Sequence, residues 1–249
     1  MLPGCQVSDA TGRAGPRVSN EGKLSLVDGS LTGGWIRPRL GGEFGSVTTC
    51  VPRGFAAYAR IFHPASDLEL NPVRWSDVAE RHGKSAHRAM QWRAIADESH
   101  PVEDPSLGEL DPDEFGVLAE FLALHTSDHK CCFFGLSDIW AWVPKVAAIN
   151  RRMPLLELPL ERNYVVLQGP LTAIGEITDG VTTHSPGLCW PADHSWLVAS
   201  DVDFDSTLVG GSRELIHAIV DSPKLEAWRV EPSDSLAADG DKVNEPNPG

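Results

Sequence analysis

Residues 196–213, WLVASDVDFDSTLVGGSR, concentrate the side chains whose types and spacing could do chemistry. Asp201, Asp203 and Asp205 recur at every second position. In a strand that period puts all three carboxylates on one face and Val202 and Phe204 on the other. Three carboxylates side by side suit a hard cation such as magnesium or calcium, which takes oxygen ligands. Just beyond, Gly210, Gly211, Ser212 and Arg213 read as a glycine turn opening a helix. The free amides of such an N-terminus can hold an anion, with Arg213 adding charge. The opposing readings are a solvated acidic strand face and an ordinary turn with Ser212 as N-cap. Trp140 and Trp142 share one face of another expected strand, where they could line a pocket or meet a partner.

Asp203-Phe204-Asp205-Ser206-Thr207-Leu208 reads D-x-D-x-T-L and resembles the first motif of the haloacid dehalogenase-like phosphatases. That resemblance implies a nucleophilic Asp203, a proton-shuttling Asp205 and a magnesium ion. The 42 residues after Thr207 are too few for the further βα units such a domain needs, at roughly 30 residues each. The expectation is therefore that the motif is local. No H-E-x-x-H, G-x-S-x-G, phosphate-binding loop or dinucleotide fingerprint occurs, and no cofactor is expected.

Charge and composition narrow the function classes. A net charge of −14 disfavours nucleic acid as a partner, since phosphate binding needs clustered Lys and Arg. Nine acids and no Lys or Arg fall between Asp97 and Glu120, read as a solvated face. No apolar run approaches the roughly 20 residues of a membrane span, and the first 20 residues lack a signal-peptide core. Membrane association is not expected. Cys5, Cys50, Cys131, Cys132 and Cys189 are odd in number, without C-x-x-C spacing, and suggest reduced thiols in a cytoplasmic protein.

The elements that must position these residues follow from period and punctuation. Residues 1–45 read as a flexible or irregular segment, 46–232 as one α+β domain, and 233–249 as a disordered acidic tail. The fold class expected is α+β, with a mixed or antiparallel sheet and several short helices. From Val47, two strands are expected on either side of Pro52-Arg53-Gly54. Residues 72–83 predict a helix with Ser76 as N-cap and Gly83 at C′, and a second helix follows over 85–96. Asp111, Pro112 and Glu114 form a capping-box start for a helix whose buried face carries Phe115, Leu118, Phe121 and Leu122. Strands are expected in KCCFFGLSDIWAW, in LPLERNYVVLQGPL, from Trp196 to Asp205 and in LEAWRV, with a helix from Ser212.

Residues 51–64 (VPRGFAAYARIFHP), 72–83 (PVRWSDVAERHG), 90–92 (MQW) and 190–212 resemble a family of uncharacterised actinobacterial proteins over most of residues 45–230. The resemblance implies a bacterial cytoplasmic origin and transfers no catalytic role. Two functions remain in view. The first is a binding or interaction protein without catalysis, acting through an unknown protein partner or as a homodimer. The second is a small-molecule or metal-dependent enzyme using the Asp201–Arg213 edge on a phosphate-containing ligand.

Overall fold

A computed structural model describes residues 24–43, 45–96, 102–140, 142–143 and 154–244. The readings made above for residues 1–23, 97–101 and 245–249, and for Cys5, lie outside the described residues. The fold is α+β, as expected.

Its frame is a nine-stranded sheet in which every neighbouring pair is antiparallel. The strands are β1 (Ser25–Val27), β2 (Ala57–Phe62), β6 (Cys132–Ser137), β7 (Leu156–Leu158), β8 (Arg162–Gly169), β9 (Leu188–Pro191), β10 (Leu197–Ser200), β11 (Ser206–Gly211) and β12 (Ala227–Val230). Across the sheet they run β1-β8-β6-β9-β10-β11-β2-β12, with β7 also paired to β8. A second, small sheet sets β3 (Ala65–Asp67) between β4 (Pro72–Val73) and β5 (Val102–Glu103).

Both faces of the large sheet are covered, which is why its central strands are apolar at successive positions instead of alternating. On one face Ala59, Ile61, Phe134, Leu136, Val198 and Val209 pack against α4 (Pro112–Leu124) and α5 (Arg213–Val220). These helices bury Phe115, Leu118 and Leu122, and Leu215, Ile216 and Ile219. On the other face Tyr58, Phe133, Tyr164, Trp190, Leu197 and Leu208 are covered by irregular chain carrying Ile36, Val47, Val51 and Leu236. A third cluster gathers Phe62, Trp75, Val78, Met90, Trp92 and Ile95 around α2 (Trp75–Arg81) and α3 (Trp92–Ile95).

Helix α4 begins as its sequence dictates: the Asp111 carboxylate accepts from the amides of Asp113 and Glu114, with Pro112 at the first helical position. Helix α2 ends at a Gly83 with φ of +64°, but it does not start at Ser76. Its first turn is instead capped from a distance by Glu226, whose carboxylate accepts from the Trp75 and Ser76 amides at 2.7 Å each. Of the helix expected over 85–96 only Trp92–Ile95 forms, and residues 47–49 make a 3-10 turn where a strand was expected. The stretch 233–244 is packed, not disordered: Leu236, Asp241 and Asn244 are buried. There the Asp241 carboxylate accepts from the Val243 and Asn244 amides and pairs with His87. Among the described residues no helix is long and apolar enough to cross a membrane.

Candidate functional site

Residues 201–205 are not strand. Strand β10 stops at Ser200 and β11 starts at Ser206, so the three aspartates lie in the connecting turn, where strand alternation does not apply. Asp201 is buried and pairs with Arg162 at 2.8 Å. Asp203 is exposed, its amide donating to Asp201. Asp205 pairs at 3.4 Å with Arg60. Asp201 and Asp205 therefore answer to different arginines, and among the described residues no group of three or more His, Cys, Asp or Glu could hold a metal ion.

Gly210 and Gly211 belong to β11, paired with Tyr58 and Ala57 of β2. Glycine is required there by packing: a Cβ on Gly210 would stand 2.5 Å from the Phe55 ring, and one on Gly211 would stand 2.7 Å from Leu215. Ser212 caps α5 by accepting from the Leu215 amide. The acid of that first turn is Glu214, held below the usual carboxylate range by its own backbone amide and by Ser212. The start of the helix thus has its own anion. Asp201 and Ser212 sit at opposite ends of β11, roughly 17 Å apart at the rise of a strand. The 201–213 edge is two separate places.

Trp140 and Trp142 follow β6 in a turn, not on a strand face. Both are half-buried against the helix-covered core. Trp142 stacks on His184 at 4.1 Å with an interplanar angle of 10°, and His184 Nδ1 lies 3.0 Å from Glu109. Neither forms an exposed aromatic patch. Cys50, Cys132 and Cys189 are free and buried. Cys131 is disulfide-bonded, so the reduced-thiol expectation fails for it.

What the structure does assemble is a cavity of about 140 Å³ at the Asp201 end of the large sheet. Its floor comes from the face covered by irregular chain. Ser137 of β6 and Tyr164 of β8 are direct cross-strand partners there. Arg162 is two residues before Tyr164 on the same face, and Asp201 follows β10. Thr49 and Cys50, from the 3-10 turn, close the floor. Ile139, Leu160, Glu161, Val202, Asp203 and Phe204 form the rim. Leu160 and Glu161 both hold left-handed backbone, φ 65° and 57°, in the β7–β8 turn. That conformation costs non-glycine residues on the order of 1 kcal/mol each and sets the Leu160 side chain at the mouth.

The electrostatics of the floor are closed. Arg162 donates to the Pro159 carbonyl through Nε at 3.0 Å, to Asp201 through Nη1 and to the Thr49 carbonyl through Nη2 at 2.6 Å. Burial works against its charge, but Cys50, Asp201 and Tyr164 together hold it above its ordinary value. Burial, and then the Asp201 charge, push the Cys50 thiol up to about 11. At neutral pH it is a protonated thiol, not a nucleophile. The same two causes raise the Tyr164 phenol. Comparison with protein families, with curated proteins and with solved structures finds no match to this chain.

Sequence reasoning found Asp201 and Asp203 but missed Ser137, Tyr164, Arg162 and Cys50. The period of two in RNYVVL couples Arg162 with Tyr164, so that part of the signal was present. Nothing local couples either to Ser137 or Cys50.

Proposed function

We propose that the protein acts by binding a small group in the cavity floored by Arg162, Asp201 and Tyr164, without converting it. The observation that carries this reading is the closed chemistry of the floor. The cavity's arginine is committed to three protein oxygens and its thiol is held protonated beside a carboxylate. Covalent catalysis by a cysteine needs an activated thiolate, which Cys50 is not, and the arginine is held in place by its protein partners. The volume is of the order that accommodates one benzene-sized group. It suits a small molecule or the end of a side chain better than a cofactor.

Ligand-observed NMR with a library of compounds of that size, on the wild type and on Leu160→Arg, tests the reading. Binders that disappear when the arginine fills the mouth are expected, recovered unchanged after a day with the protein. Binders indifferent to Leu160→Arg, or a compound consumed at a rate that follows protein concentration, would overturn it.

A further inference from the structure

Two hydroxyls in this cavity lack a protein partner. Ser137 and Tyr164 are 7% and 4% exposed and line the floor side by side as a cross-strand pair. Among the described residues neither Ser137 Oγ nor the Tyr164 hydroxyl makes a hydrogen bond. Neither oxygen is sealed from solvent, so both are open to the cavity and free to bond a group that enters it.

The surroundings say which kind. An anion could accept from the two hydroxyls, but the Arg162 charge is already matched by Asp201 and the exposed Glu161 and Asp203 at the mouth repel it. The lining carries one positive side chain, Arg162, against three negative ones, Asp201, Asp203 and Glu161. Glu161 and Asp203 are exposed at the mouth. Asp201 Oδ2 is taken by Arg162, whereas Oδ1 meets only the Asp203 amide at a long 3.3 Å. Ile139 and Leu160, exposed by 61% and 58%, form an apolar collar with Val202 and Phe204. From the outside inwards the cavity offers acids and apolar surface, then three oxygens.

We propose that the cavity takes a primary ammonium group on an unbranched aliphatic stem. Its three N–H donors meet Ser137 Oγ, the Tyr164 hydroxyl and Asp201 Oδ1, while the stem lies between Ile139 and Leu160. A free alkylamine and a lysine side chain present this same group. The proposal rests on the binding function argued above and names the ligand class for that site.

Calorimetric titration at pH 7 and low salt with n-butylamine, n-pentanol and n-pentanoate tests the two separately. The amine is fully protonated at that pH. It is expected to bind at least tenfold more tightly than either of the others. Tyr164→Phe and Ser137→Ala should each weaken it about tenfold, and Glu161→Gln, at an exposed position, about threefold. If n-pentanol or n-pentanoate binds as well as the amine, the ammonium assignment falls and the binding site stands. If none of the three binds, both fall. Amine binding unmoved by Tyr164→Phe and Glu161→Gln alike also overturns the assignment. Nα-acetyl-lysine methylamide and cadaverine then separate the sources: tighter binding of the former assigns a partner's lysine, and of the latter a free diamine.

Discussion

The turn between β10 and β11 feeds two Arg–Asp pairs that look alike in sequence and differ in surroundings. Asp205 reaches Arg60, a residue 1% exposed. Arg60 also donates to Ser206 Oγ and to the Met90 carbonyl, and lies over the Phe62 and Trp75 rings at 4.5 and 5.8 Å. Burial lowers its pKa only to about 10, so it remains charged at neutral pH. Beside it His63, also buried, accepts from Thr207 through Nε2 and donates through Nδ1 to the Ser106 carbonyl. Asp201 reaches Arg162 at the edge of a cavity, among two hydroxyls with nothing to bind. One pair fastens the third hydrophobic cluster to the sheet, and the other walls a site. The enclosure of the arginine, 1% exposed in one pair and 13% in the other, is what separates them.

The strongest way to break this comparison is to remove each arginine. Arg60→Ala removes a fully enclosed side chain with its bonds to Asp205, Ser206 and Met90 and leaves a void beside Phe62 and Trp75, and should lower unfolding free energy by about 3–5 kcal/mol in urea titration. Arg162→Ala should cost less, on the order of 1–3 kcal/mol, because Arg162 is 13% exposed against 1% for Arg60 and its removal only widens an existing cavity. Equal losses would mean that the two sites are equally closed.

The pairs should also fail at opposite ends of the pH scale. Burial lowers His63 to about 4, so the folded state resists its protonation. Stability from this residue is present above its unfolded value near 6.5 and is lost as pH falls through 4, by about 3 kcal/mol. His63→Gln, which keeps a donor and an acceptor in place, should flatten that part of the stability curve.

Cys50 runs the other way. Its thiol is raised, so its contribution is complete below pH 9 and is lost, roughly 2–3 kcal/mol of it, as pH rises towards about 11. Cys50→Ala should remove that alkaline slope. Because Asp201 is the second cause of the rise, Asp201→Asn should shift the onset of Cys50 alkylation to lower pH, read by iodoacetamide labelling. An unchanged onset would place Asp201 outside the electrostatics of the thiol.

The smallest effect sharpens the contrast most. Tyr164→Phe deletes a hydroxyl without a protein partner, and should change urea stability by less than about 1 kcal/mol. A larger loss would show that the hydroxyl serves the fold.

Much of the fold was legible in the sequence. Asp111, Pro112 and Glu114 fixed the start of α4, Gly83 the end of α2, and Ser212 the start of α5, since a cap and its amides lie within a few residues of each other. Strands β6, β8, β10 and β12 stood out by composition, whereas β11 reads in part as a turn. The beginning of α2 was not legible, because its cap, Glu226, lies 150 residues away from Ser76. The aspartates were misread for a related reason: alternation from Leu197 onwards looks the same whether the strand continues through Asp205 or turns at Asp201.

What the sequence determined by itself was therefore local: elements, caps and apolar faces, together with an overall acidity. The tertiary structure decided which polar residues meet. Ser137, Tyr164, Arg162 and Asp201 come from two strands and the turn after a third, and share a cavity only through the register of β6 on β8 and the placement of β10. A period of two says which face a side chain takes. It carries no information about which residue of a distant strand stands opposite, and that opposition leaves two hydroxyls facing a cavity.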